Sequence, residues 1–358
     1  MVLRRRHPSA RRKSRAEKIT WTARRKAGAG KISWRGRRSL RAALLGALLV
    51  AVCLCALASR REATAQSRAQ ASPSIRYAGA WGVKGDGPGQ LDHPSSIATD
   101  PAGSVYIADS GSGFIHKFDP VGTPLLSFQD VSLRDPAFIT VDDGGAMYVA
   151  DSDRHSVLIF FPNGDRYREL RWGIYRAAED ALSVAVGDDG TVEVLDAGAD
   201  KVFVYTSRLR LLRSWRPLGP GGALAGAAPS RSETIAAGPN GDFYVADPPG
   251  NRILRFTPEG QLVSEIDARA QGTGRNLSGE FAVSKNALFV MDADGHTLHV
   301  WDLTGSLTEA AAPKLDFDLA PQLGWNNRVS PPLAVSPRGE LLVLDAPQSR
   351  VLRYRINF

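Results

Sequence analysis

The stretch Val105-Tyr106-Ile107-Ala108-Asp109, followed nine residues later by Phe118, returns five more times, and nothing else in the chain constrains the fold as tightly. The matching aspartates are Asp109, Asp151, Asp196, Asp247, Asp292 and Asp345. Nine residues after them stand Phe118, Phe160, Tyr205, Phe256, Trp301 and Tyr354. Two residues before them stand Ile107, Val149, Val194, Val245, Val290 and Val343. Six residues before, the column reads Gly103, Gly145, Gly190, Gly241, Asn286 and Gly339. Self-similarity at a near-constant period marks a repeat architecture.

One copy shows what each unit builds. Asp100-Pro101-Ala102-Gly103 is a turn, with Pro setting φ and Gly accepting a positive φ. Residues 104–108 are a strand of β-branched and aromatic residues. Residues 109–113 turn again, residues 114–118 form a further strand, and residues 123–128 another after the turn at Gly122. With the run before Asp100, that makes four short strands in an antiparallel meander. Asn286 is expected to serve in the glycine column, because Asn also tolerates the left-handed region. The aspartates lie 42, 45, 51, 45 and 53 residues apart. A period of about 40–50 residues with four strands per unit is that of a propeller blade. The expected class is therefore all-β: a six-bladed β-propeller over residues 75–358. The repeated Asp is read as an acceptor of backbone N–H groups in its turn, and the repeated aromatics as core. The last repeat has strands for only three positions, so the isolated strand Ile75–Gly82 is expected to complete that blade and close the ring.

The segment before the propeller differs in kind. Residues 1–41 hold 16 Lys and Arg against one acid, Glu17, whereas the rest of the chain holds 29 against 36. The first 41 residues read as a basic disordered tail. Residues 42–58 are 17 residues without a charge, the length of a short transmembrane helix or of a signal-peptide core. Their charge asymmetry predicts a cytoplasmic N-terminus and a propeller in the periplasm or outside the cell, anchored, or secreted if the segment is cleaved. Residues 59–74 read as a flexible linker. Both cysteines, Cys53 and Cys55, lie in the apolar run, so disulfides and thiolate chemistry are excluded downstream.

The run Gly85-Asp86-Gly87-Pro88-Gly89-Gln90-Leu91, then Pro94, VYIAD and FIHKF, resembles the NHL-repeat family of β-propellers. The second copy (Met147 to Asp151, then Val157 to Phe160) and the fourth (FYVAD, then Asn251-Arg252-Ile253) are similar to it. In the third, Leu209 replaces the second glycine found as Gly122, Gly164, Gly260 and Gly305. The resemblance implies the six-bladed propeller and no single function, since the fold hosts many.

In such a ring the connections leading into each blade share one face with the turns between second and third strands. Two of those connections are long, 217–231 and 306–330, and long loops on a rigid scaffold carry binding. The candidate binding face holds Arg154, His155, Trp172, Tyr175, Arg252, Arg275, His296, Trp325 and Arg328, because arginines and aromatics anchor protein interfaces. The expected function is a membrane-anchored, outward-facing, non-catalytic module for a protein, peptide or polysaccharide. Nucleic acid is disfavoured, because the body is acidic overall.

The alternative is an exported propeller enzyme. The resemblance implies two metal chemistries: zinc held by histidines, as in the peptidyl-hydroxyglycine lyases, or calcium held by carboxylates and Asn, as in lactonase-type propellers. His116 and His299 occupy equivalent third-strand positions and are assigned to the blades. His93, His155 and His296 lie at non-equivalent loop positions. Glu233 and Glu280, near the start of the innermost strands of blades four and five, are the metal candidates. No nucleophile–base pattern is visible, so no catalytic residue is assigned, and no cofactor is expected unless zinc or calcium serves this alternative.

Overall fold

The computed structural model describes residues 74–171, 182–196, 201–217, 234–267, 276–304, 313–323 and 330–357. The basic tail, the apolar segment 42–58 and all of the linker but Ser74 lie outside them. Among the described residues no helix is long and apolar enough to cross a membrane.

Among the described residues, twenty-four strands form six four-stranded antiparallel sheets. A first strand, β1 (Ser74–Trp81), precedes blade 1, which is β2 (Pro94–Thr99), β3 (Val105–Asp109), β4 (Phe114–Phe118) and β5 (Pro124–Phe128). Blade 2 is β6 (Pro136–Val141), β7 (Met147–Asp151), β8 (Ser156–Phe160) and β9 (Arg166–Arg171). Blade 3 is β10 (Leu182–Val186), β11 (Val192–Asp196), β12 (Lys201–Tyr205) and β13 (Leu211–Trp215). Blade 4 is β14 (Ile235–Ala237), β15 (Phe243–Asp247), β16 (Arg252–Phe256) and β17 (Leu262–Asp267). Blade 5 is β18 (Leu277–Val283), β19 (Ala287–Asp292), β20 (Thr297–Asp302) and β21 (Leu315–Asp318). Blade 6 is β22 (Leu333–Val335), β23 (Glu340–Asp345), β24 (Arg350–Asn357) and, as its outermost strand, β1. β1 runs antiparallel to β24, from Ser74 opposite Asn357 to Trp81 opposite Val351. A ring joined this way covers the edge that β24 would otherwise leave open.

The second strand of every blade is buried on both faces, as VYIAD, MYVAD, VEVLD, FYVAD, ALFVMD and the last five residues of ELLVLD show. Their side chains pack between neighbouring blades rather than within one. The seam has a recurring lock. Trp81, Phe128 and Trp215, near the ends of outermost strands, lie against Phe118, Phe160 and Phe256 of the next blade at ring separations of 4.7, 5.0 and 4.7 Å. Each ring also covers a glycine of that blade: a Cβ on Gly164 would come within 2.9 Å of Phe128, one on Gly260 within 2.6 Å of Trp215, and one on Gly122 would collide with the Trp81 ring. Between blades 2 and 3 the ring is replaced by Leu170, and the glycine by Leu209, whose φ is 61° and whose side chain packs into the same cluster. The leucine accepts a left-handed backbone there and fills the space that an aromatic fills elsewhere.

In blades 1 and 2 the repeated aspartate ties the blade's central turn to the connection that leads into that blade. Asp109 Oδ2 accepts from Asp92 N at 2.6 Å and Oδ1 from Ser112 N at 3.3 Å. Asp151 repeats this with Arg134 N at 2.7 Å and Arg154 N at 3.1 Å. Each buried carboxylate thus satisfies donors that two loops would otherwise leave unpaired. The repeated aromatics are core throughout, with Trp301 at 1 % and Tyr354 at 0 % exposure.

Two expectations need correction. Asn286 does not adopt the left-handed backbone, because the turn there is one residue shorter, Ser284 N bonding Ala287 O at 2.8 Å. The segment 306–330 is not all loop. It contains β21, whose Phe317 packs edge-on to Tyr354 at 5.7 Å, and a helical turn, α1 (Ala320–Leu323). The alternation Leu315-Asp316-Phe317-Asp318, with the apolar residues packed and the acids exposed, is that of a half-buried outermost strand.

Candidate functional site: the axial cavity

The meander places all connections leading into blades, and the turns between second and third strands, on one face, here the upper. The turns between first and second strands, and between third and fourth, lie on the lower face. On the axis below the upper face is a cavity of ≈ 280 Å³. Its wall is built from the innermost strands: Ser95 and Ser96 of blade 1, Phe138 of blade 2, Ser183 of blade 3, Phe281 of blade 5 and Leu333 of blade 6. Thr234, next to blade 4, and the turn residues Ser110 and Ser152 complete it. A second, wider cavity of ≈ 690 Å³ opens at the lower end, among Asp100, Asp143, Asp188, Lys285 and Pro337.

Hydroxyls dominate the upper cavity, and their bonds run from blade to blade. Ser95 Oγ lies 2.5 Å from Pro136 O. Ser96 Oγ accepts from Ile139 N at 3.2 Å, and Ser183 Oγ from Ile235 N at 3.1 Å. Thr234 Oγ1 donates to Gly279 O. These groups stitch adjacent innermost strands together where no backbone ladder joins them. Each of these hydroxyls is engaged in a hydrogen bond to the backbone of the next blade.

Among the described residues, two carboxylates line the cavity from opposite blades. Asp135 precedes β6 of blade 2, and Glu280 lies within β18 of blade 5. β18 carries an irregularity: Leu277 opposes Asp292 and Phe281 opposes Val290, so three residues stand against Met291 alone. Such a bulge re-aims a side chain, and here it brings Glu280 to the cavity wall. Ser278 Oγ, itself bonded to Met291 O at 3.1 Å, accepts from Glu280 N at 3.1 Å and holds the bulge. Burial pushes the Glu280 carboxyl up to about 7. A neutral Glu280 can donate a proton or a hydrogen bond near neutrality; an ionised one needs a cation.

The other candidates fall in different places. Arg252 turns inward: it is 8 % exposed, with Nε donating to Asp247 Oδ2 at 2.7 Å and Nη1 to Glu265 Oε1 at 3.2 Å. The binding-face role expected for it gives way to a buried clamp within blade 4. His155 takes a left-handed backbone, φ 49°, in the turn position where Gly113, Asn251 and Ser349 are also left-handed. Arg154 is half-buried beside it and lines a shallow depression with Arg134, Asp153 and Arg171. His296 is half-buried on the same face, its carbonyl accepting from Leu319 N at 2.7 Å. Trp172, Tyr175, Glu233, Arg275, Trp325 and Arg328 lie outside the described residues. His116 and His299 are buried in their blades, bonded through Nδ1 to Ser127 Oγ at 2.9 Å and Asp316 Oδ1 at 2.7 Å. His93 is at the surface beside Asp92. Among the described residues no group of three or more His, Cys, Asp or Glu is placed to hold a metal ion.

Fold and site together define a six-bladed β-propeller with a hydroxyl- and carboxylate-lined axial cavity. Residues 133–160, the span that includes blade 2's second and third strands, match the NHL repeat, so the chain is a six-bladed propeller carrying an NHL repeat. No curated protein sequence matches it. Among solved structures it is similar to a streptogramin B lyase, at 12 % identity, a TM-score of 0.54, and coverage of 80 % of this chain and 98 % of that one. It is similar to virginiamycin B lyase from Staphylococcus aureus, at 12 % identity, a TM-score of 0.52, and coverage of 79 % and 99 %. The β-propeller domain of Cps50 (Swd1) from Myceliophteria thermophila fits as well, at 9 % identity, a TM-score of 0.53, and coverage of 79 % and 100 %. At these identities the likeness is one of fold alone.

Proposed function

We propose that this chain is a membrane-anchored propeller facing out of the cytoplasm, which binds a protein, peptide or polysaccharide at its upper face without catalysing a reaction on it. The observation that carries this reading is the use made of the cavity hydroxyls. Those of Ser95, Ser96, Ser183 and Thr234 are committed to inter-blade hydrogen bonds, which leaves a rigid, polar recess suited to recognition. The apolar run at 42–58 and the basic residues before it support the anchored placement. The alternative, an exported metal-dependent lyase or lactonase-type enzyme, draws on the fold shared with the streptogramin lyases.

The deciding experiment uses the full chain, purified in detergent and dialysed without chelator. Its zinc and calcium contents are measured by inductively coupled plasma mass spectrometry. Photo-crosslinkers at Asp153 and Ala293 of the upper face then capture partners from the cell envelope. A specific crosslinked partner without stoichiometric metal supports the binding module. One zinc or calcium per chain, lost together with a lyase or lactonase activity in Glu280→Gln, overturns it.

A further inference from the structure

Eleven large apolar side chains are exposed among the described residues, and nine of them belong to the lower outer rim. They sit in the turns before outermost strands or in the first half of those strands. Leu125 comes from blade 1, Tyr167 from blade 2, Leu211 and Leu212 from blade 3, Val263 from blade 4 and Tyr77 from blade 6. Val83 and Val131 are the two elsewhere. Scattered apolar residues need no explanation, but a girdle repeated on five blades does.

We propose that this rim docks on a lipid surface, the one to which the chain is tethered, so that the propeller stands on the membrane with its upper face outward. The proposal rests on the anchored reading above. Blades related by rotation about one axis place equivalent residues at one height, and a planar ring of apolar side chains fits a flat partner better than one seated on a single sector. The path of the chain agrees. Ser74 pairs with Asn357, at the lower end of β24, so the preceding segment enters from the side that carries the girdle. Fifteen residues, 59–73, separate the apolar run 42–58 from β1, a chain length that can extend to about 50 Å. Arginines accompany the apolar side chains on two of the blades. Arg168, Arg208 and Arg210 are exposed among the apolar residues of blades 2 and 3, and the Arg168 guanidinium lies 5.2 Å from the Tyr167 ring centre. Arginine and tyrosine flanking leucines suit the zone where headgroups meet acyl chains. The rim also holds acids, Asp165 and Glu259 being exposed in the turns before β9 and β17, while Asp143 and Asp188 border the lower cavity nearer the axis.

The test reconstitutes the full chain into vesicles of phosphatidylcholine and phosphatidylglycerol, with a photo-crosslinker at Tyr167 or Leu212 of the rim or at Asp153 of the upper face. Alkaline carbonate extraction first reports anchoring; release of the chain there defeats the anchored reading and is read separately from the rim. With anchoring intact, lipid adducts at the two rim positions and few at Asp153 are expected. Replacing Leu211, Leu212, Leu262 and Val263 by Ser should lower adducts at Tyr167 about tenfold, since interfacial binding scales with buried apolar area. Equal adducts at rim and upper face, rim crosslinks to a protein instead of lipid, or no effect of the serine variant would each overturn the proposal.

Discussion

Glu193 offers a sharp test of how the blades pack. It lies in β11, three residues before the repeated Asp196, where other blades carry Tyr106, Tyr148, Tyr244, Phe289 and Leu342. It is fully buried, and neither carboxyl oxygen has a hydrogen-bond partner. Burial raises its pKa from 4.5 to about 9, against the pull of Arg213 and with help from Asp189. Between those two values the folded chain holds a proton that the unfolded chain has released, so raising the pH favours unfolding. One such proton is worth about 1.4 kcal/mol per pH unit. From pH 5 to pH 8 the cost approaches about 4 kcal/mol, an appreciable part of the ~5–15 kcal/mol that holds a domain together. Glu193→Leu removes the titrating group and installs the residue that blade 6 uses at Leu342. Urea unfolding of the full chain, followed by tryptophan fluorescence at pH 5, 6, 7 and 8, should show the two proteins diverging as pH rises, with the variant the more stable at pH 8. Parallel lines for wild type and variant would refute the reasoning, because Glu193 would then ionise equally in both states.

Four further outcomes follow from the packing. Asp247→Ala should cost about 3–5 kcal/mol in thermal unfolding, because it leaves the buried Arg252 guanidinium without its nearest carboxylate. Trp81→Ala should cost about 2–4 kcal/mol in thermal unfolding, and Gly122→Ala should cost less in the Trp81→Ala background than in the wild type, because the Trp81 ring occupies the space the new Cβ would enter; equal costs in the two backgrounds would sink the account of the lock. Glu280→Gln should flatten the fall in stability between pH 4.5 and about 7, by roughly 1–2 kcal/mol after allowance for the solvent that reaches the cavity. Deleting residues 74–81 should raise the mass measured by size-exclusion chromatography with light scattering above that of the full chain, through dimers or aggregates, because it bares the β24 edge.

The fold was legible because its determinants are local and repeated. The columns around Asp109 and its five counterparts specify strand, turn and core within each unit, and stacking supplies the rest. The missing fourth strand after Arg350 pointed to β1 in the same way. The site was less legible, because it depends on departures from the repeat. The bulge that turns Glu280 to the axis is two residues of extra length in one strand, invisible to any alternation count. The inward turn of Arg252 depends on Glu265, thirteen residues away on the neighbouring strand. Leu209 drew notice as a departure from glycine, but its meaning needed Leu170 across the seam.

The seam at β1 sets an order of events during synthesis. The first strand to leave the ribosome pairs with the last, so no ring exists until residue 357 has been made. Until then β1 waits unpaired while blades 1 to 5 are synthesised, and the circle stays open. If the chain is threaded across a membrane, that wait spans the whole passage, and a chaperone that shields one short strand, Ser74 to Trp81, would protect the assembly at its most exposed moment.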